Sequence, residues 1–248
     1  MENSTDIKIG VVVPITGITP EQVAGRKNHL LEICPPNVTV DFFQNDTGPL
    51  SIESHFEHEQ AAVEVVKRAI ALEKKGYHAI IPWCGGGPGV VSGREVLKIP
   101  IIGPFHASCQ IAMGLGYRFG VIIPLSKNIR MTRHRIYDMK LKEHSAGIRA
   151  VDVPVLHLKD DTGHLLDMLS EIGRALIDEN GADVIVTTCL GFCGMAKPLM
   201  ERLPVPVVDP GWAAVAMAEM LVRMGLTHSK ETYAFPKGFY PDGSSLHA

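Results

Sequence analysis

Short apolar runs alternate with longer stretches of mixed character along the whole chain. The runs Ile7–Val13, Val38–Phe43, Ala79–Trp83, Pro100–Gly103, Arg118–Ile123, Arg149–Val153, Asp183–Thr188 and Val205–Val208 are rich in Val and Ile and barely alternate in polarity. That is the pattern of strands covered on both faces. Between them, Glu57–Lys75 sets Ala61, Val65, Ala69 and Leu72 at helical spacing with charges opposite, and Leu165–Glu179 is also amphipathic. Gly76 and Gly181 follow these stretches as helix-ending glycines. Strand and helix alternating throughout predicts an α/β fold of parallel sheets with crossover helices.

An internal repeat divides the chain. Gly76-Tyr-His-Ala-Ile-Ile-Pro-Trp-Cys84 matches Gly181-Ala-Asp-Val-Ile-Val-Thr-Thr-Cys189 in order and length. Each copy runs glycine, buried strand, cysteine, then a glycine-containing turn. Ile99-Pro-Ile-Ile-Gly-Pro104 and Val205-Pro-Val-Val-Asp-Pro210 then follow at nearly the same offset. A single repeat of about 105 residues implies two related lobes rather than a solenoid. The expected division is a first lobe of 1–105, completed by 211–248, and a second of 106–210. The segment from about Ser229 to Ala248 lacks periodicity and is expected to be extended.

The repeat makes Cys84 and Cys189 the candidate reactive groups. In open parallel sheets ligands bind beyond the carboxyl ends of strands, where both cysteines fall. Each precedes a turn into a helix, a setting that favours the thiolate. Gly85, Gly86 and Gly87 allow close backbone approach to a ligand. Lobes facing each other would put one thiol on each side of a substrate. One would remove a proton from carbon and the other return one to the opposite face, with backbone amides holding the enolate oxygen. Cys193 competes with Cys189, but the repeat alignment favours Cys189. Cys34 and Cys109 have no repeat partner. His106 follows the Pro100–Gly103 strand and is expected on the ligand side, either as a polar contact or as an ordinary loop residue.

Composition narrows the alternatives. A net charge of -3 without a basic block excludes a nucleic-acid footprint. No apolar run approaches the roughly 18 residues of a membrane span, and no secretory signal pattern opens the chain. Five cysteines, an odd number, argue against a disulfide framework, so a reduced, cytoplasmic protein is expected. Cys84-Gly-Gly-Gly-Pro-Gly89 lacks the endings of phosphate and dinucleotide loops. Cys189 and Cys193 lack zinc-site spacing. No Gly-x-Ser-x-Gly elbow is present. Neither a metal nor a cofactor is therefore expected, and the partner is a small-molecule substrate. The loops around Ile15, Cys84–Gly89 and Cys189–Gly194 carry no charge, which favours a substrate of low charge unless Arg118 or Arg133 reaches in.

At these residues the chain resembles the aspartate/glutamate/hydantoin racemase superfamily, most closely its hydantoin racemase branch. The resemblance is carried by Gly48-Pro-Leu-Ser-Ile-Glu-Ser54, by Ala79–Gly103 with its Cys84 loop, by Gly116-Tyr-Arg-Phe-Gly-Val-Ile122, and by Asp183–Pro210 with Cys189-Leu-Gly-Phe192. It spans about Ile7 to Phe235. It implies two pseudo-symmetric flavodoxin-like lobes with the active site in the cleft between them, and a homo-oligomer. It also implies a cofactor-independent racemase acting on a hydantoin-like cyclic ureide, with Cys84 and Cys189 as acid and base. Ligand contacts are implied at Pro14, Ile15 and Thr16, and in the backbone after each cysteine at Gly85, Gly86, Leu190 and Gly191. The family's first loop usually reads Asn-Pro-Asn-Thr, where this chain has Val13-Pro-Ile-Thr16. Gly87 stands where an acidic residue is usual, and His106 where a small or acidic one is common. The competing readings are an amino-acid racemase, a thiol-dependent decarboxylase or isomerase, a cysteine-nucleophile amide hydrolase using His106, and a two-lobed binding protein.

Overall fold

The computed structural model describes residues 6–238. The ends of the chain, including the expected tail beyond 238, lie outside the described residues. The first lobe contains β1 (Ile7–Val13), α1 (Pro20–Leu31), β2 (Val38–Gln44), α2 (His55–Lys74), β3 (Ala79–Pro82) and α3 (Val90–Val96). Next come α4 (Pro104–Leu115), β4 (Phe119–Ile123), α5 (Ile129–Asp138), β5 (Ser145–Ala150), α6 (Thr162–Asp178), β6 (Val184–Thr187), α7 (Ala196–Met200), β7 (Val207–Val208) and α8 (Pro210–Arg223). Two all-parallel sheets result, ordered β2-β1-β3 and β5-β4-β6-β7. This is the pair of flavodoxin-like lobes that the resemblance implies.

Two expected strands differ. Pro100–Gly103 forms only an isolated bridge, Ile80 to Ile101. Pro100 has no N–H to donate, and Pro104 starts α4 directly after Gly103, so the ladder stops after two bonds, Ile80 N–H to Pro100 O and Ile102 N–H to Ile80 O. The Arg149–Val153 strand instead occupies Ser145–Ala150. It is an edge strand with mostly half-buried residues, so its apolar positions do not mark its limits. Asp152, at φ 55°, turns the chain away, and its carboxylate accepts from Ser126 N–H.

Alternate residues of the central strands enter different cores. Val12 and Ile80 face out against Val65, Ala69 and Leu72 of α2. Ile122 and Ile185 face out against Leu165, Leu169 and Leu176 of α6. The inner residues Val11, Val13 and Ile81 share one continuous core with Val121, Ile123 and Val186 of the other sheet. Two helices exchange sides: α4 leaves the first sheet and packs on β6, whereas α8 leaves β7 and packs on β3 and β1. α4 and α8 also pack on each other.

Candidate active site

Cys84 lies just beyond β3 and Cys189 just beyond β6, each carried out of a buried strand. Their loops touch. A Cβ added to Gly85 would lie 1.8 Å from the Thr188 carbonyl oxygen, so only glycine permits this approach. The contact brings both cysteines into one cavity of about 60 Å³. Ile52, Phe105, Ile123, Pro124, Met131 and Val155 give it apolar walls, while Gly85, Gly86, His58, Asn128, Thr132, Thr188 and Arg135 supply the polar ones.

The helix-terminus expectation for the thiols needs correction. A turn, Gly85–Gly89, separates Cys84 from α3, and Cys189 leads into a single 3-10 turn at Leu190–Phe192. Burial dominates and pushes the Cys84 thiol up, although N–H groups of Gly86 and Gly87 and the Arg135 charge oppose it. Burial also pushes Cys189 up to about 12, opposed by Gly191 N–H, Arg26 and Lys159 and reinforced by the charge on Cys84. Gly191 N–H lies 3.3 Å from the Cys189 sulfur. Both resting thiols are thus protonated near neutral pH.

Of the other expected contacts, Gly85 and Gly86 line the cavity. Pro14, Ile15 and Thr16 do not: the Ile15 carbonyl accepts from Gln44 Nε2, and Thr16 N–H donates to Pro49 O. Leu190 faces a second cavity, of about 300 Å³, with Arg26, His29, Lys159 and Cys193. His106 also lies outside the thiol cavity. Burial and the Arg94 charge push it down to about 4, and His228 senses its charge. The expectation of an uncharged pocket fails at Arg135, on α5, rather than at Arg118 or Arg133.

His58 and Arg135 escaped the sequence reading. His58 Nε2 donates to Gly86 O at 3.1 Å. Burial and the Arg135 charge lower its pKa, leaving a neutral ring. A second repeat signal points to Arg135: Gly10-Val-Val-Val-Pro14 matches Gly120-Val-Ile-Ile-Pro124, which makes α5 the counterpart of α1.

Among the described residues one group has metal-ligand chemistry, His29, Cys193 and Asp209, with ligand atoms within 4.8 Å of one another. Its groups are already engaged. His29 bonds Asp209 at 3.0 Å and Glu32 at 3.3 Å, and Asp209 accepts from Gly194, Gly211 and Trp212 N–H. Lys159 adds positive charge beside it. This donor set is a structural joint between α1 and the start of α8.

Two cysteines, one from each of two matched parallel-sheet lobes, therefore line one cavity. The family model described as Asp/Glu/Hydantoin racemase matches residues 20–218. The chain belongs to that family and is an isomerase of the racemase class. It is 35% identical to a hydantoin racemase of Rhizobium meliloti over 193 residues, 76% of this chain and 79% of that one. A hydantoin racemase of a Pseudomonas species is 30% identical, over 77% of each chain. Among solved structures, an allantoin racemase from Klebsiella pneumoniae superposes with a TM-score of 0.87 at 31% identity, covering 93% of this chain and 94% of the other. Among the described residues no helix is long and apolar enough to cross a membrane.

Proposed function

We propose that the protein racemises a hydantoin-like cyclic ureide at the carbon next to a carbonyl, by proton transfer between Cys84 and Cys189. The observation that carries this reading is the placement of both cysteines on one narrow, largely apolar cavity. One cysteine, as thiolate, takes the C–H proton, and the electron pair moves into the neighbouring carbonyl as an enolate. The other, as thiol, delivers its proton to the opposite face of that carbon. The two sulfurs exchange protonation states, so the balance closes without a redox partner. Asn128, Thr188 and the Gly85–Gly86 backbone supply polar contacts for the ring's carbonyls and N–H groups.

The cavity chemistry favours a ring over a free amino acid. Among the described residues no carboxylate lines the cavity, so an ammonium group would be desolvated without a partner. The hydantoin and allantoin racemases among the relatives point to the same substrate class. A hydrolase reading would need a histidine base free beside Cys84: His106 does not line this cavity, and His58, which does, has its Nε2–H committed to Gly86 O.

The test is proton NMR in D2O on single enantiomers of 5-substituted hydantoins, with optical rotation followed in parallel. The wild-type protein is expected to exchange the α-proton as optical activity decays. Cys84→Ser and Cys189→Ser should each abolish racemisation, because serine is too weak an acid near neutral pH. Each retains at most exchange from one enantiomer. Full racemisation by either variant overturns the two-thiol mechanism.

A further inference from the structure

Two arginines stand in matched relation to the two cysteines. Arg135 lies on α5 of the second lobe, yet it borders the cavity at Cys84, which belongs to the first. The position of a Cβ on Gly86 is 3.2 Å from Arg135 Nη2 and 3.5 Å from Cys84 Sγ, so sulfur and guanidinium flank the same glycine. Arg26 lies on α1 of the first lobe, yet it borders a cavity with Leu190 and Cys193, which follow Cys189 in the second lobe's thiol loop. Arg26 follows Pro14 by 12 positions and Arg135 follows Pro124 by 11, so each lies on the helix after β1 or β4.

Among the described residues neither guanidinium has an ordinary counterion. Among the described residues Arg135 makes no ion pair, and the lining of its cavity contains no carboxylate. Arg26 Nη1 is buried without a hydrogen-bond partner. A buried guanidinium with no anion is costly, and the cost falls when a negative charge forms beside it. Cys84 is the anionic group Arg135 senses, and Cys189 and Cys193 are those Arg26 senses. A substrate-anchoring role would explain Arg135 alone. Arg26 does not line the thiol cavity, yet it holds the same relation to its own cysteine.

We propose that Arg135 and Arg26 are crossed positioning residues, each lent by the helix after one lobe's central strand (β4 or β1) to hold the other lobe's thiol as a thiolate while it carries the negative charge. The proposal rests on the two-thiol reading for its purpose. Its test, however, needs no substrate, so the two fail separately. Besides Arg135, Cys84 shares its cavity with His58 and Cys189; besides Arg26, Cys189 senses Lys159 and Cys84.

The experiment is iodoacetamide alkylation followed site by site by peptide mass spectrometry across pH, with Cys34, whose thiol is pushed up by burial and Glu219, as the reference. R135Q should move the Cys84 midpoint upward and slow its alkylation roughly tenfold below that midpoint, one pKa unit being a factor of ten. Cys189 should keep its wild-type profile. R26Q should act at Cys189 and spare Cys84, by a smaller factor because Lys159 remains; R26Q with Lys159→Met should enlarge it. R135K and R26K, which keep the charge, should restore most of the reactivity, and they remain informative where a glutamine variant fails to fold. Unmoved midpoints overturn the proposal. So do equal shifts at both cysteines in every variant, and a rise in KM for racemisation with alkylation unchanged.

Discussion

Gly85 sets how closely the two thiol loops approach. Its Cα faces the Thr188 carbonyl at a distance that leaves no room for a methyl group. Gly85→Ala must push the loops apart, at a cost of roughly 1–3 kcal/mol for overpacking. The expected result is a lower melting temperature together with a loss of α-proton exchange larger than that stability loss explains, because both thiols move. Unchanged exchange would mean that thiol spacing is not critical. The role of Gly85 was partly legible: a glycine beside a repeated cysteine signals close approach, but not against which partner. The cysteines themselves were legible because each closes a strand at the same distance from a repeated glycine. His58 and Arg135 were not, because each sits on a helix whose polar residues look like a solvated face until the other lobe covers it.

At the scale of elements, the joint of α1 with α8 is sensitive to pH. Asp209 caps α8, and His29 on α1 bonds to it and stacks on Trp212 with ring centroids 4.7 Å apart. Burial lowers the His29 pKa, but the hydrogen bond and charge of Asp209, helped by Glu32, more than offset it, so the net shift is upward from 6.5. Burial raises Asp209, but His29 and the capping N–H groups bring it below 3.8. A raised histidine gives its full stabilisation below its unfolded pKa and loses it as pH rises through the folded one. A lowered aspartate gives its full stabilisation above its unfolded pKa and loses it as pH falls through the folded one. The wild type should therefore exceed His29→Gln by about 1–2 kcal/mol between roughly pH 4 and 6.5. Urea unfolding should show that gap shrinking at alkaline pH; a gap independent of pH would assign it to the Trp212 stack. Such pairs are invisible in sequence because 180 residues separate the partners. Element types were legible from burial on both strand faces, whereas the edge strand β5 was misplaced because its ladder does not follow apolar residues.

For the whole molecule, the shared inner core and the exchange of α4 and α8 argue for a single cooperative unit rather than two independent lobes. Residues of both sheets and of α1, α4, α5 and α8 belong to that core. Thermal unfolding should give one transition with equal calorimetric and van't Hoff enthalpies; two resolved transitions would contradict it. We propose that 211–238 nevertheless serves the first lobe, through the packing of α8 on β3 and β1.

The exchanged helices bear on how the chain can be divided and rejoined. A cut between Gly116 and Tyr117 separates the halves at an exposed turn, yet it leaves α4 on the first fragment and α8 on the second. Each fragment then carries a helix that belongs against the other's sheet. Fragments 1–116 and 117–248, expressed separately, should each expose apolar surface and aggregate. Expressed together, they should interlock into a particle of full-length size that brings the two thiols back together without a covalent link.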